Sequence, residues 1–324
     1  MTRVTLVGLG AIGREVLKAL VAKRSVRVVA VADPAFAGQD AGVAAGLGPV
    51  GVVVVREVDE AFAVPSDVAL VLTTSGTAEM VPIVARAAER HLHVVSSCED
   101  LAFAELATPE EARRIDALAR GGGIVVLGTG VNPGFVMDRL PLALAGGCVA
   151  VRAARVERVV DAAKRRGPLR AKVGADLTVA EFEAGVAARR LGHRGLPESC
   201  QLLARGLGLR LEELRSTIAP VVTSAESPRA GIAPGRVAGL RQSAVGMGEG
   251  RELVRLDLEM SVGAPEPHDR IVLDSDPPLD VLLQGGTHGD RGTVGTVVNA
   301  IAAVLVGRPG LRHVDELPLF GLVT

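Results

Sequence analysis

Residues 4–13 read Val-Thr-Leu-Val-Gly-Leu-Gly-Ala-Ile-Gly, an apolar run that breaks into glycines at Gly8, Gly10 and Gly13. The spacing of Arg14–Lys23 then predicts a helix, and Val26–Ala32 a second strand that ends at Asp33, 20 positions beyond Gly13. Strand, glycine turn, helix, strand and terminal acid together form a dinucleotide-binding pattern. With 39 glycines in the chain the spacing alone arises easily by chance, so the flanking elements carry the reading. Gly8 permits the tight turn, Gly10 lets backbone approach a pyrophosphate, and Gly13 allows close helix–strand packing. The amides of Ala11, Ile12 and Gly13 would face the phosphates from the helix N-terminus. Asp33 would accept hydrogen bonds from the adenine ribose and repel a 2′-phosphate. Pro34-Ala35-Phe36 follows it and offers no cation, so NAD is expected over NADP, with NADP possible.

The alternation continues outward from this turn. Val52–Val55, Val68–Leu72, His93–Ser96 and Ile124–Leu127 read as strands, with helices over Thr77–Arg90 and from Thr108-Pro109-Glu110-Glu111, where a capping box and a proline mark the start. Apolar strands joined by helices predict the α/β class, a Rossmann-type doubly wound parallel sheet. Beyond residue 133 the rhythm changes. Val149–Val160 alternates apolar and charged residues; Thr178-x-x-Glu181 and Leu196-Pro197-Glu198 begin helices; short strands follow around 236–246, 251–262, 269–273 and 279–283. That stretch predicts an α+β domain with a mixed, mostly antiparallel sheet. Thr293–Val306 closes the pattern as an apolar helix. The expected domains are 1–133, with 290–324 returning to it, and 134–289 for substrate binding and oligomerisation.

Composition narrows the class of function. The 324 residues carry 36 Lys plus Arg against 37 Asp plus Glu, which disfavours a nucleic-acid or anionic-membrane surface. No apolar run reaches the ~18 residues of a membrane helix, and the opening strand leaves no signal peptide, so a cytoplasmic protein is expected. Cys98, Cys148 and Cys200 match no zinc spacing, and no metal is expected. There is no Trp and no Tyr; six Phe supply all the aromatic surface. A homodimer acting on a small molecule is the expected assembly.

In a doubly wound sheet the chemistry gathers beyond the carboxyl ends of the strands. Three segments qualify: Thr73–Gly76, Ser96–Glu99 and Thr129–Gly134. Thr73, Thr74 and Ser75 have hydroxyls suited to the nicotinamide-side ribose or phosphate, or else simply close a strand end. Cys98 and Asn132 are expected to touch the cofactor, and Asn132 and Pro133 the substrate. Glu99 is the only carboxylate in the three segments. Partly desolvated by cofactor and substrate, it could exchange protons near neutrality; the plainer reading is a capping or surface acid. A Cys98 thiolate attacking an aldehyde is the second enzymatic reading. A non-catalytic NAD(H)-sensing protein is the third. His91 and His93 have no identifiable third ligand, and His193 lies in a glycine-rich loop.

At these residues the chain resembles a known family. VVSSCEDL (94–101), GTGVNPGFVMDRLPL (128–142), RVVDAAKRRGPLRAKVGA (158–175), GHRGLPES (192–199) and GDRGTVGTVVNAI (289–301) resemble 2,4-diaminopentanoate dehydrogenases and the related native amine dehydrogenases. The resemblance implies a fold like that of dihydrodipicolinate reductase, in which Thr293–Val306 packs against the nucleotide domain. It implies NAD(P)-linked oxidative deamination of an amine to a carbonyl and ammonia, with Glu99 as the acid/base. A diamino acid would need a partner for its carboxylate, for which Arg165, Arg166 and Arg170 are candidates; the alternative is a solvated basic strand end. Dihydrodipicolinate reductase itself is disfavoured, because Val156–Gly167 contains Lys164 but no histidine. Trp or Tyr usually surrounds the substrate in this family; here Phe135 and aliphatic side chains must serve.

Overall fold

The computed structural model of the chain describes residues 1–164, 167–224, 229, 231–319 and 321–324. In chain order the elements are β1 (Thr2–Val7), α1 (Ala11–Val21), β2 (Val26–Ala32), α2 (Ala41–Ala44), β3 (Val54–Val55), α3 (Val58–Phe62), β4 (Val68–Val71), α4 (Thr77–Glu89), β5 (His93–Ser96), a 3-10 turn (Glu99–Phe103), α5 (Ala104–Ala107), α6 (Pro109–Gly122) and β6 (Val125–Gly128). They continue with α7 (Arg139–Ala145), β7 (Ala150–Asp161), α8 (Gly167–Lys172), α9 (Val179–Ala187), α10 (Leu196–Gly206), β8 (Glu213–Val222), β9 (Val237–Gly248), β10 (Arg251–Ser261), β11 (His268–Asp276), β12 (Leu279–Gln284), α11 (Gly289–Val304) and β13 (Gly310–Arg312). Two units result: Met1–Phe135 with His288–Thr324, and Val136–Thr287. These boundaries fall at 135/136 and 287/288, against 133/134 and 289/290 in the sequence reading.

In the first unit the described strands form one parallel sheet in the order β13-β6-β5-β4-β1-β2-β3. Its central strands are buried throughout, β4 as Val-Ala-Leu-Val and β6 as Val-Val-Leu-Gly, because helices cover both faces. α1 turns Gly13, Val16, Leu17 and Leu20 inward, an i, i+3, i+4, i+7 stripe that a single helix face can bury. α4 and α6 pack together over the other side, with Met80, Val84, Leu101, Ile115 and Val126 in one core. α11 returns to pack on α1 and β5, burying Val297, Val298, Ala300, Ile301 and Val304.

Sequence and structure part at identifiable places. Thr108 makes no capping bond at the start of α6; its hydroxyl instead pairs with the Thr77 hydroxyl at 2.7 Å, joining the beginnings of α6 and α4. The third strand shrinks from Val52–Val55 to Val54–Val55, with Val53 exposed. α11 begins at Gly289 rather than Thr293. β8 and β13 were not read from the sequence at all.

The second unit holds a mixed sheet in the order β12-β11-β7-β10-β9-β8. β7 and β10 run parallel and the other described pairs antiparallel. α10 packs across β8, β9 and β10. Arg158 and Asp269, both buried, pair at 2.6 Å and together bind the two backbone groups of Thr287: Arg158 donates to its carbonyl and its N–H donates to Asp269. The α9 capping box is formed, Thr178 accepting from the Glu181 N–H and Glu181 from the Thr178 N–H.

Candidate active site

Strand register builds the site. Val7 is opposite both Ala32 and Val71, Val71 is opposite Ser96, and Ser96 is opposite Gly128. The carboxyl ends of β2, β1, β4, β5 and β6 therefore finish level, and the loops that leave them stand in one row. Three of the first loop amides bond the last carbonyl of a neighbouring strand: Gly8 to Ala32, Leu72 to Val7, Thr129 to Ser96. Sequence moves outward from β1 to β2 on one side and to β4 on the other, so the topological switch point lies between β1 and β4. The glycine turn stands there.

Gly8 has φ +97°, and a Cβ on Gly13 would run into the Gly8 carbonyl oxygen, so neither position accepts a side chain without movement. Around Gly10, by contrast, no atom lies within 4 Å of where a Cβ would stand. Gly10 caps α1 with no side-chain hydrogen bond, and the first turn holds no acidic residue. Free helix amides beside open space fit a pyrophosphate. Asp33 directly follows β2 and accepts from the Leu9 N–H at 2.6 Å and the Ala35 N–H at 2.9 Å. The same carboxylate that would meet a ribose thus also fixes the glycine turn. Arg14, which the sequence reading passed over, lies 6.0 Å over the Phe36 ring on this side.

The three loop segments are placed as follows. Thr73 is exposed beside Gly8; Thr74 accepts from the Gly76 N–H at 3.1 Å; the Ser75 carbonyl accepts from the Asp100 N–H at 3.2 Å. Ser96 is fully buried, donates to the Val71 carbonyl at 2.7 Å and accepts from the Cys98 N–H at 3.1 Å. Glu99, half-buried, opens the 3-10 turn directly after Cys98. Leu101 beneath it packs against Gly128, where any Cβ would collide at 2.5 Å. Thr129 is buried, Asn132 half-buried, Pro133 buried and Phe135 half-buried. The Val131 N–H donates to the Thr293 hydroxyl of α11 at 3.2 Å, a support no local sequence signal announces. Asn132–Pro133 is a cis peptide.

Burial pushes the Cys98 thiol up to about 12, well away from a reactive thiolate at neutral pH. His91 is exposed and bonded to the Gly122 carbonyl, and His93 accepts from the Val125 N–H. Among the described residues no His, Cys, Asp and Glu cluster suits a metal ion. Arg170 lies 3.9 Å from Asp176; Arg165 and Arg166 fall outside the described residues. No described helix is long and apolar enough to cross a membrane.

Comparison with known proteins agrees over both units. Residues 135–323 match the model of the 2,4-diaminopentanoate dehydrogenase C-terminal domain, and residues 2–125 that of the dihydrodipicolinate reductase N-terminus. The chain is 30% identical over 262 residues to 2,4-diaminopentanoate dehydrogenase of Acetoanaerobium sticklandii, covering 78% of this chain and 74% of that one. It is 25% identical to an amine dehydrogenase of Streptomyces virginiae, over 96% of this chain and 95% of the other. In structure it resembles the amine dehydrogenase of Mycobacterium smegmatis, with a TM-score of 0.83, 24% identity and 99% and 97% of the two chains covered. The dipicolinate-bound dihydrodipicolinate reductase of Paenisporosarcina sp. TG-14 shares the fold more distantly, with a TM-score of 0.52 at 15% identity, over 97% and 98% of the chains. By its family model and its relatives, this chain belongs to the 2,4-diaminopentanoate dehydrogenase family of NAD(P)-dependent oxidoreductases.

Proposed function

We propose that the protein is an amine dehydrogenase, interconverting a primary amine or diamino acid with a ketone and ammonia, with Glu99 as the acid/base. The observation that carries the reading is the position of Glu99. It is the carboxylate that opens the turn after β5, in the row of loops that begins with the glycine turn. The nicotinamide cofactor supplies the hydride acceptor when bound. Gly8, Gly10, Ala11, Ile12 and Gly13 would hold its pyrophosphate and Asp33 its adenine ribose, which favours NAD. Thr73, Thr74, Ser75, Cys98 and Asn132 would line its nicotinamide half.

Oxidation at the amine-bearing carbon needs a free nitrogen lone pair, so the ammonium must first lose a proton. Glu99 takes it. Glu99 passes this proton to solvent, and after hydride departure the carboxylate, ionised again, draws a proton from the water that attacks the iminium; it returns that proton to the nitrogen as the carbinolamine collapses to ketone and ammonium. One protonated amine, one water and one oxidised cofactor give one ketone, one ammonium, one reduced cofactor and one proton. Asn132, Pro133 and Phe135 would orient the carbon skeleton.

The competing thiolate reading has little support from a buried thiol held near 12. The test is NADH consumption with ammonia across a panel of ketones, aldehydes and keto acids. Ammonia-dependent consumption with a ketone is expected. Consumption with aldehydes alone and no need for ammonia would overturn the proposal.

A further inference from the structure

We infer that His313 is a positioning residue for Glu99, an inference that rests on the acid/base role proposed above. His313 directly follows β13 and is 2% exposed. Its Nε2 lies 3.0 Å from Glu105 Oε2 and 3.1 Å from Oε1, and its ring stacks on Phe103 with centroids 5.0 Å apart at 24°. Phe103 ends the 3-10 turn that Glu99 begins, and Glu105 lies in α5 immediately beyond it. One buried imidazole thus grips the far end of that turn twice, by a ring face and by a carboxylate.

The turn needs such a grip. Five residues is long for a 3-10 helix, whose hydrogen bonds are poorly aligned, so its position is set by its neighbours. At its beginning the Asp100 N–H bonds the Ser75 carbonyl. In its middle Leu101 rests on Gly128. At its end stands His313, itself fixed where Glu316 accepts from the His313 N–H at 2.9 Å and from Arg312 at 3.0 Å. Releasing the end lets the turn roll about the first two supports, and the side chain that moves is Glu99. A displacement of about 1 Å in a reacting group costs about 100-fold in rate. Binding of the dinucleotide's adenosine half, built on β1 and β2, should be untouched.

The test compares H313A, H313F, H313Q, E105Q and E99Q with the wild type. Turnover is expressed per NADH-binding site, counted by fluorescence titration, so that a merely structural loss of folded protein does not register. H313A is expected to lower kcat per site about 10- to 100-fold, with the NADH Kd unchanged within about twofold. H313F keeps a ring against Phe103, H313Q keeps a donor for Glu105, and each should recover part of kcat; E105Q should resemble H313F. Wild-type kcat per site in H313A would overturn the inference, as would a loss fully explained by fewer binding sites. If H313A does not fold, wild-type kcat per site in both H313F and H313Q overturns it equally. Full turnover in E99Q would instead overturn the acid/base reading on which the inference rests.

Discussion

Gly13 and Cys98 show how single residues separate the account from its rivals. Alanine at Gly13 would bring a methyl group into the Gly8 carbonyl, so the turn must open. G13A is expected to weaken NADH binding at least about tenfold, about 1.4 kcal/mol, measured by fluorescence titration. The Cys98 thiol, pushed up to about 12 by burial, stays protonated at pH 7. C98A should therefore retain ammonia-dependent turnover, altered only through its contact with the cofactor, and iodoacetamide should label Cys98 slowly in the folded protein. Rapid labelling together with loss of turnover in C98A would restore the thiolate reading. At this scale the sequence was informative where chemistry is local. Gly8–Gly13, Asp33 and Glu99 stand where their spacing placed them, at strand ends. What it did not reveal was their support: Asp33 holding the Leu9 amide, Thr293 holding Val131, and His313 reaching Glu105 across 208 residues.

Elements were legible in proportion to their burial. β4, β5 and β6 are apolar because both faces are covered, and such runs announce themselves. β8 is an edge strand, mostly exposed and interrupted by Pro220, so its residues carry little hydrophobic pattern. β13 has three residues and is defined by pairing with β6 rather than by its own composition. Caps divide in the same way. At α9 the Thr178 and Glu181 bonds are local, and T178A should cost about 1 kcal/mol in urea unfolding. At α6 the same pattern misleads, because Thr77 lies within reach and takes the Thr108 hydroxyl. T108A should lose a bond that links two helices, again about 1 kcal/mol, and T77A should lose no more when combined with it.

At the scale of the whole molecule, each unit carries a polar feature, fully or partly buried, through which its stability can be tested. In Val136–Thr287 the Arg158–Asp269 pair is sealed from water and satisfied by Thr287. D269N leaves a buried guanidinium without its counter-charge and should destabilise by about 3–5 kcal/mol, read from chemical denaturation. In the other unit, burial holds the His93 imidazole below its ordinary value of 6.5 while Nδ1 accepts from the Val125 N–H. The unfolded chain therefore binds this proton first as pH falls. Stability should decline as pH drops below about 6.5 toward the lower folded value, and H93Q should flatten that part of the profile. Both sheet types were visible in the change of rhythm beyond residue 133; the parallel pairing of β7 with β10 was not, since it joins strands about a hundred residues apart.

The central claim, that Glu99 serves reductive amination beside a nicotinamide, is tested most directly by product and cofactor counted together. Wild-type and E99Q protein are supplied with a ketone, NADH and ¹⁵N-ammonia, and the amine is measured by mass spectrometry. The account predicts one ¹⁵N-amine for each NADH oxidised by the wild type, and a fall of at least about 100-fold in E99Q, with NADH still bound. Equal turnover in E99Q, or NADH oxidised to give an alcohol and no labelled amine, would contradict it.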